Sequence, residues 1–524
     1  MRSLRTDGLP FLRAFALTSF ALPLAAALSS GCYSVGNDCN LFNCSSGGGG
    51  ATTAPTGGGG TGGTGAVIPT DCIPKDSSGP VADGCGIFVS ESKGSDENLG
   101  TKASPLKTLA AAIERASQAD KRVYACAESF TAPTAVSTAV TVFGALDCTD
   151  GWTYLPATRT TLTAAPGEIP LHLTADARLT AVDLDIFAAD AVAPGGSSIA
   201  ILAEAKSELD LTRSEVVSGL AAPGNFGQPF GSFASDGEKG STGVDACTLS
   251  QSVTPDAPVN RCGDTDSVGG SGGNGASAQG SAGNPGEPAG NQNGGAGETA
   301  GTPCKAGTAG LQGIDGAPGS GGTGMGTIDE TGYLGTPGEP GKPGTPGQGG
   351  GGGGGSRGGT GVGKCTDATK QAGASGGSGG SGGCGGQGGN GGGAGGSSIA
   401  ILSLGATFLF NEVTITAKSG GAGGAGGDGQ GGGVGGGAGT GGTIPAGATL
   451  NPGCPGGPGA SGGSGGKGGG GQGGHSIALA HTGAAPDTAG ASLFVASAGN
   501  GGAGDGVNGF TEGEKGIAAK VQSF

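Results

Sequence analysis

The hydrophobic and polar positions of the chain follow one pattern four times: a short apolar run, a polar turn and then an alternating strand. The four copies occupy residues 171–190, 199–218, 399–419 and 477–497. Because side chains alternate along a strand, the first copy places Val182, Leu184 and Ile186 inside. Asp183 and Asp185 then point outward. A repeat that cannot bury its apolar face alone has to stack on its neighbours, so the pattern predicts an all-β solenoid.

The spacing of the copies predicts how they stack. The first two begin 28 residues apart, which suits one coil of a solenoid. The second and third share eight identical residues, Gly-Gly-Ser-Ser-Ile-Ala-Ile-Leu, at 195–202 and 395–402. We therefore expect the later copies to stack in register, with Ile199, Ile399 and Ile477 on one inner ladder. The segments between them would project from one side, since insertions in a solenoid map to loops on one face.

An amphipathic helix precedes the first copy. Pro105 suits its first turn. Apolar residues then recur at helical spacing, at Leu106, Leu109, Ile113 and Ala116. Short strands are predicted around this helix, at 86–90, 123–126 and 140–144.

This helical segment resembles the N-terminal capping helix of pectin-lyase-like, right-handed parallel β-helices, in particular those of myxobacterial-type Gly-rich surface lipoproteins. The resemblance rests on Gly100-Thr101-x-x-Ser104-Pro105-x-Lys107-Thr108-Leu109-x-x-Ala112-Ile113 and covers about residues 90–220. It implies a right-handed parallel β-helix with one capping helix, and it brings no catalytic residues with it.

Between the later copies lie glycine-rich blocks with a period of three. The chain has 129 Gly and 29 Pro in 524 residues. Glycine occupies every third position over 453–474, 307–322, 376–391 and 420–435, and four Gly-x-Pro triplets begin at Gly335. Three residues per turn is the repeat of polyproline II, and by this period the blocks resemble the glycine-rich bundles of antifreeze proteins and phage adhesins. A packed polyproline II bundle and a disordered tract both remain open.

These patterns divide the chain into seven regions. They are a signal peptide (1–31), a lipidated cysteine with a Gly/Thr-rich linker (32–66), the first coils of the β-helix (67–219), a Gly-rich insertion (220–394), one further coil (395–419), a second Gly-rich insertion (420–474) and a final coil with a C-terminal tail (475–524). We expect the two insertions to supply most of the exposed surface.

The first 31 residues are typical of an export signal. Arginines precede an apolar run over 14–28, which is shorter than the about 20 residues of a membrane span. Gly31-Cys32 resembles the cleavage site of bacterial lipoproteins, in which the cysteine is lipidated and becomes the first residue. We therefore expect a lipid anchor at Cys32 and, because Tyr33 follows it, an outer-membrane or cell-surface lipoprotein of a Gram-negative bacterium. Ordinary cleavage that leaves Cys32 as a plain thiol is the alternative.

The cysteine count agrees with export and lipidation. There are 13 cysteines, so one remains for the lipid after six disulfides form. The disulfide candidates are Cys39, Cys44, Cys72, Cys85, Cys126, Cys148, Cys247, Cys262, Cys304, Cys365, Cys384 and Cys454. Pairing of nearest neighbours predicts the bonds 39–44, 72–85, 126–148, 247–262, 304–365 and 384–454.

Charge and residue types restrict the chemistry. The net charge of −16 is opposite to the basic footprint of a nucleic-acid-binding protein, so no such partner is expected. No CxxC pair occurs and the three histidines are isolated, so we expect no metal, no cofactor and no catalytic triad. Asp183 and Asp185, with Arg213 one coil later, form the best candidate for polysaccharide cleavage, although an outer strand face is most often only solvated.

Two classes of function follow from these observations. The sequence favours a non-enzymatic cell-surface lipoprotein with a structural, adhesive or glycan- or matrix-binding role. The alternative is a surface polysaccharide lyase or glycoside hydrolase built on a β-helix. The low aromatic content of 4% and the lack of a clear carboxylate cluster favour the first class.

Overall fold

The computed structural model describes residues 72–524 except 78, 255, 507 and 508. Most of its strands, numbered along the chain, belong to three parallel sheets that we name A, B and C. Sheet A contains β1 (Gly86–Val89), β2 (Arg122–Cys126), β5 (Ala139–Asp147), β9 (Arg178–Val182), β12 (Glu208–Thr212) and β19 (Thr407–Asn411), with β6 (Thr153–Tyr154) antiparallel to β5. Sheet B contains β3 (Ser129–Phe130), β7 (Thr160–Thr163), β10 (Leu184–Phe187), β13 (Glu215–Val217), β20 (Val413–Ala417) and β22 (Ala491–Val495). Sheet C contains β4 (Thr134–Val136), β8 (Leu171–Leu173), β11 (Ser198–Ala203), β18 (Ser398–Ser403), β21 (Ser476–His481) and β23 (Ala518–Ser523).

The remaining described elements are short. Two antiparallel hairpins lie within the glycine-rich region: β14 (Val259–Asn260) with β15 (Ser267–Val268), and β16 (Thr327–Asp329) with β17 (Gly332–Leu334). Single 3₁₀ turns occupy Asp83–Cys85 and Gly509–Thr511. The α-helix α1 spans Leu109–Gln118.

Helix α1 begins later than its apolar spacing predicts. Thr108 caps it, because the threonine side chain accepts a hydrogen bond from the Ala111 amide at 3.2 Å. Leu106 instead forms an isolated β-bridge with Val89 and is fully buried. The helix buries the face that carries Leu109 and Ile113 and packs on β1 and β2.

The strands are connected in rotation. From β7 through β21 the chain visits sheets B, C and A in turn, apart from the two hairpins. Ile199 pairs with Ile399 and Ile399 pairs with Ile477, which confirms the stacking in register. The largest apolar cluster draws on all three sheets and so lies between them, for example Leu179 of sheet A, Ile186 of sheet B and Ile201 of sheet C.

The ladder of Ile199, Ile399 and Ile477 does not face the central apolar cluster, so the prediction of an inner ladder is wrong. Ile199, Ile399 and Ile477 belong to a separate apolar cluster that includes Tyr333 of the β16–β17 hairpin. The neighbouring Ile201 faces the central cluster instead. Both faces of this sheet C strand are buried, so its apolar residues carry no alternation from which the inner face could be read.

At two corners, where the chain passes from one sheet to the next, single residues with left-handed backbone make the turn. Between sheets A and B these residues are Asp183 (φ 57°), Arg213 (φ 53°) and Glu412 (φ 57°). Between sheets C and A they are Asp176, Lys206 and Gly405. The corner residue ends the alternation of β9, so the expected orientations change there: Asp183 is buried, and Val182 joins a different cluster from Leu184 and Ile186.

The glycine-rich blocks all leave from the third corner. The chain leaves sheet B after β13, β20 and β22 and returns to sheet C at β18, β21 and β23. The long excursions therefore open on one side of the stacked strands, as expected. A third and shorter excursion, 496–517, lies in the region that the sequence assigned to a final coil and tail.

Candidate functional site

The glycine-rich blocks form a packed bundle, which we call the glycine bundle. Its segments contain few assigned strands, yet backbone hydrogen bonds join them at every third residue. Amides over 338–353 donate to carbonyls over 377–392 in antiparallel order, as from Gly341 to Gly389 at 2.9 Å. Amides over 377–395 donate to 454–472 in parallel order. Hydrogen bonds at every third residue thus join the described parts of the blocks into an ordered assembly. The disordered alternative does not hold for these parts.

The centre of the bundle is a run of seven glycines, 349–355, which is buried throughout. A Cβ atom added at Gly352 would lie 2.8 Å from the Gly272 nitrogen, at Gly353 2.6 Å from the Cys454 carbonyl carbon, and at Gly354 2.9 Å from the Gly297 nitrogen. The three consecutive residues thus touch three different segments. A segment enclosed on every side has room for glycine only.

Segments at the edge of the bundle have fewer glycines per triplet. In the Gly-x-Pro stretch over 335–347, the glycines face neighbouring backbone, whereas Glu339, Lys342 and most of the prolines are exposed. The number of glycines in a triplet therefore follows the number of packed faces. In this stretch the outer positions therefore present charged and proline side chains on a hydrogen-bonded backbone.

Serines occupy the third position of the triplets over 375–381, beside the segment 238–244. The hydroxyls of Ser375, Ser378 and Ser381 are buried and accept hydrogen bonds from the amides of 244, 241 and 238 at 2.7–2.8 Å. Each serine amide donates back to the carbonyl of the same partner residue. The sequence analysis missed this role, although the Ser-Gly-Gly period was visible.

Five disulfides hold the described residues. The pairs 72–85 and 126–148 are confirmed. The pairs 247–262, 304–365 and 384–454 are wrong: the observed bonds are 247–365, 262–384 and 304–454. Nearest-neighbour pairing fails because segments far apart in sequence lie side by side in the bundle. Antiparallel segments bring together the cysteines of 247–365 and 262–384, and parallel segments bring together those of 304–454, across 118 to 150 residues. Cys32, Cys39 and Cys44 lie outside the described residues.

The acidic candidate is an ion pair at the corner between sheets A and B. The Asp183 side chain is only 3% exposed. Arg213 donates to its two carboxylate oxygens at 2.6 and 2.9 Å, and Arg159 approaches to 3.4 Å. Beside this pair, burial raises the pKa of Tyr154, and the negative charge of Asp183 raises it further. The structure therefore brings Asp183 and Arg213 together as partners of each other.

Asp185 lies outside this ion pair. It accepts a hydrogen bond from the Glu215 amide at 2.8 Å, and burial raises the pKa of its carboxyl. With Glu215 and Glu412 it lines an open cleft of about 320 Å³. Glu412 was missed, although it occupies the position of Arg213 in the next copy of the repeat. A partly buried carboxyl of raised pKa is the one feature here that suits a proton donor.

Two of the three histidines have hydrogen-bond partners, and the third, His481, is buried with its Nδ1 unpaired among the described residues. His172 contacts Glu204 at 2.7 Å through Nε2. His475 is buried; its Nδ1 accepts from the Ile517 amide and its Nε2 contacts the Met325 carbonyl, both at 2.9 Å. Burial lowers the pKa of His475. Across the described residues there is no cluster of three or more metal-binding side chains, and no helix long and apolar enough to span a bilayer.

Comparison with known proteins gives no relative. No family model, no curated protein and no solved structure matches this chain.

Proposed function

We propose that sheets A, B and C are the three faces of a right-handed parallel β-helix of the pectin-lyase-like kind, with α1 as its N-terminal cap. The strict rotation among parallel sheets and the registered stacking support this interpretation. We further propose that the segments of the glycine bundle are polyproline II helices. Their hydrogen bonds of period three support it, because polyproline II has three residues per turn.

On this proposal the chain is an exported lipoprotein, anchored in the outer membrane or at the cell surface through Cys32. Five disulfides in the described residues support an oxidising compartment, since such bonds are rare in the cytosol. The Gly/Thr-rich stretch over 45–66 would lie between this anchor and the first described residues along the chain.

The proposed role is non-enzymatic: the protein presents the glycine bundle as a rigid adhesive surface for glycans or extracellular matrix. The observation that carries this proposal is the bundle itself, a large ordered structure whose buried positions are mostly glycine and serine and whose exposed positions carry both polar and apolar side chains. Three long-range disulfides cross-link it, which suits a surface exposed to mechanical and proteolytic stress. The alternative, a surface lyase or hydrolase, would have to use Asp185, since Asp183 is occupied by Arg213.

One experiment separates the two roles. The detergent-solubilised full chain is applied to immobilised polysaccharides and matrix proteins, and bound protein and released sugar are measured on the same samples. We expect binding without release of unsaturated or reducing ends. Release of either product, reduced in the Asp185→Asn variant and retained in a Glu208→Gln control, would contradict the proposal and favour the enzyme.

A further inference from the structure

A groove lies in the wall of the glycine bundle. It has a volume of about 720 Å³ and forms where four segments meet: 232–235, 261–265, 343–346 and 384–387. The disulfide between Cys262 and Cys384 ties two of these segments together, with their Cα atoms 5.1 Å apart. The groove is therefore held by a covalent bond.

An exposed aromatic ring forms one side of this groove. Phe233 is 75% exposed although it lies against backbone, since a Cβ atom on Gly431 would collide with its ring. Glycine at 431 thus leaves room for one edge of the ring against the neighbouring segment. A fixed and solvent-exposed ring offers an apolar face to the C–H groups of a ligand.

Polar groups complete the lining. Gln430 is anchored on both sides: its Oε1 accepts from the Gln387 amide and its Nε2 donates to the Ser232 carbonyl, both at 3.1 Å. Within the part of the chain that the structure describes, the side chains of Arg261, Asp264 and Gln387 have no hydrogen-bond or ion-pair partner. They leave a guanidinium, a carboxylate and an amide free to bind a ligand in the groove.

We propose that this groove binds a neutral oligosaccharide segment. The lining combines an aromatic face with both donors and acceptors, which matches the C–H faces and hydroxyls of a sugar chain. The charges of Arg261 and Asp264 balance, so the groove favours a neutral chain over a uronate or a sulfated one. Its open form suits internal residues of a polysaccharide. This inference rests on the proposed adhesive function and gives that function a defined site.

The test uses the detergent-solubilised full chain and three probes: maltohexaose, cellohexaose and a galacturonate hexamer. Binding is measured by isothermal titration. We expect at least one neutral hexamer to bind and the galacturonate hexamer to bind more weakly. Phe233→Ala and Gln387→Ala should each weaken binding about tenfold, which corresponds to about 1.4 kcal/mol. Phe226→Ala is the matched control, because Phe226 is 69% exposed on the same segment but does not line the groove.

The outcomes are distinguishable. Equal loss in the Phe233 and Phe226 variants, unchanged binding in the Phe233 and Gln387 variants, or tighter binding of the acidic hexamer would overturn the groove proposal. If the chain still adheres to polysaccharide surfaces in those cases, the adhesive function stands without this site. If neither hexamers nor surfaces bind, the adhesive function fails together with the groove. Unfolding midpoints of all variants show whether any loss reflects misfolding.

Discussion

Replacement of Gly353 by alanine tests the packing of the glycine bundle most severely. The new Cβ atom would lie 2.6 Å from the Cys454 carbonyl carbon, and closer still to its oxygen, whereas Cβ contacts in proteins essentially never fall below 3.0 Å. The carbonyl carbon alone would have to move by about 0.4 Å to reach 3.0 Å, and the nearer oxygen by more. It belongs to a backbone that is hydrogen-bonded to Gly354 and Gly377, so it cannot rotate away. We expect a loss of about 3 kcal/mol of stability, the upper end for overpacking.

The matched control is Gly437→Ala, in the same bundle. A Cβ atom there meets only the Lys239 side chain, at 3.8 Å, which is an ordinary contact. The control should therefore change stability by no more than about 0.5 kcal/mol. Both variants are compared by equilibrium denaturation in guanidinium chloride, with disulfides intact. Equal stability of the two variants, or a Gly353 variant as stable as the parent, would refute the close packing of the run.

Three further predictions concern the ion pair, a disulfide and a histidine. Asp183→Asn should lower the free energy of unfolding by about 3–5 kcal/mol, because it leaves the Arg213 guanidinium without its buried counter-ion. Adding Arg213→Met should restore part of this stability. Equilibrium denaturation of both variants measures the two changes. The double change Cys262→Ser with Cys384→Ser should cost about 4–5 kcal/mol, because it opens a loop of 122 residues; an unchanged midpoint would contradict it. The lowered pKa of His475 means that below pH 6.5 the unfolded chain binds a proton that the folded chain does not. From pH 6.5 down to the lowered folded-state pKa, stability should thus fall with decreasing pH by up to about 1.4 kcal/mol per unit. His475→Gln should remove this contribution just below pH 6.5, and an identical slope in the variant would argue against it.

The stacking of the strands could be predicted because two features of the repeat indicate it. Alternation identified the strands, and the identical octapeptides at 195–202 and 395–402 gave the register over an excursion of nearly two hundred residues. The corner at Asp183 could not be found this way. A single residue with left-handed backbone turns the chain between two strands there. The apolar and polar residues on either side continue to alternate, so the sequence pattern does not reveal the turn.

The repeat of the glycine bundle could be predicted from the sequence, but the arrangement of its segments could not. The period of three indicated polyproline II, but a period alone does not say which segments are neighbours. The pairs 247–365 and 262–384 depend on segments folding back antiparallel over more than a hundred residues, so nearest-neighbour pairing could not find them. The groove was missed for the same reason, because its residues come together from segments far apart in sequence.

Amide hydrogen exchange at 349–355 tests the central claim most directly. All seven of these glycine amides donate to backbone carbonyls of surrounding segments, and the run is buried. In a native-state exchange experiment followed by mass spectrometry, we expect a peptide covering 349–355 to be protected as strongly as one covering β18. Exchange of that peptide at the rate of an unstructured glycine chain, while β18 stays protected, would contradict an ordered bundle with a backbone core.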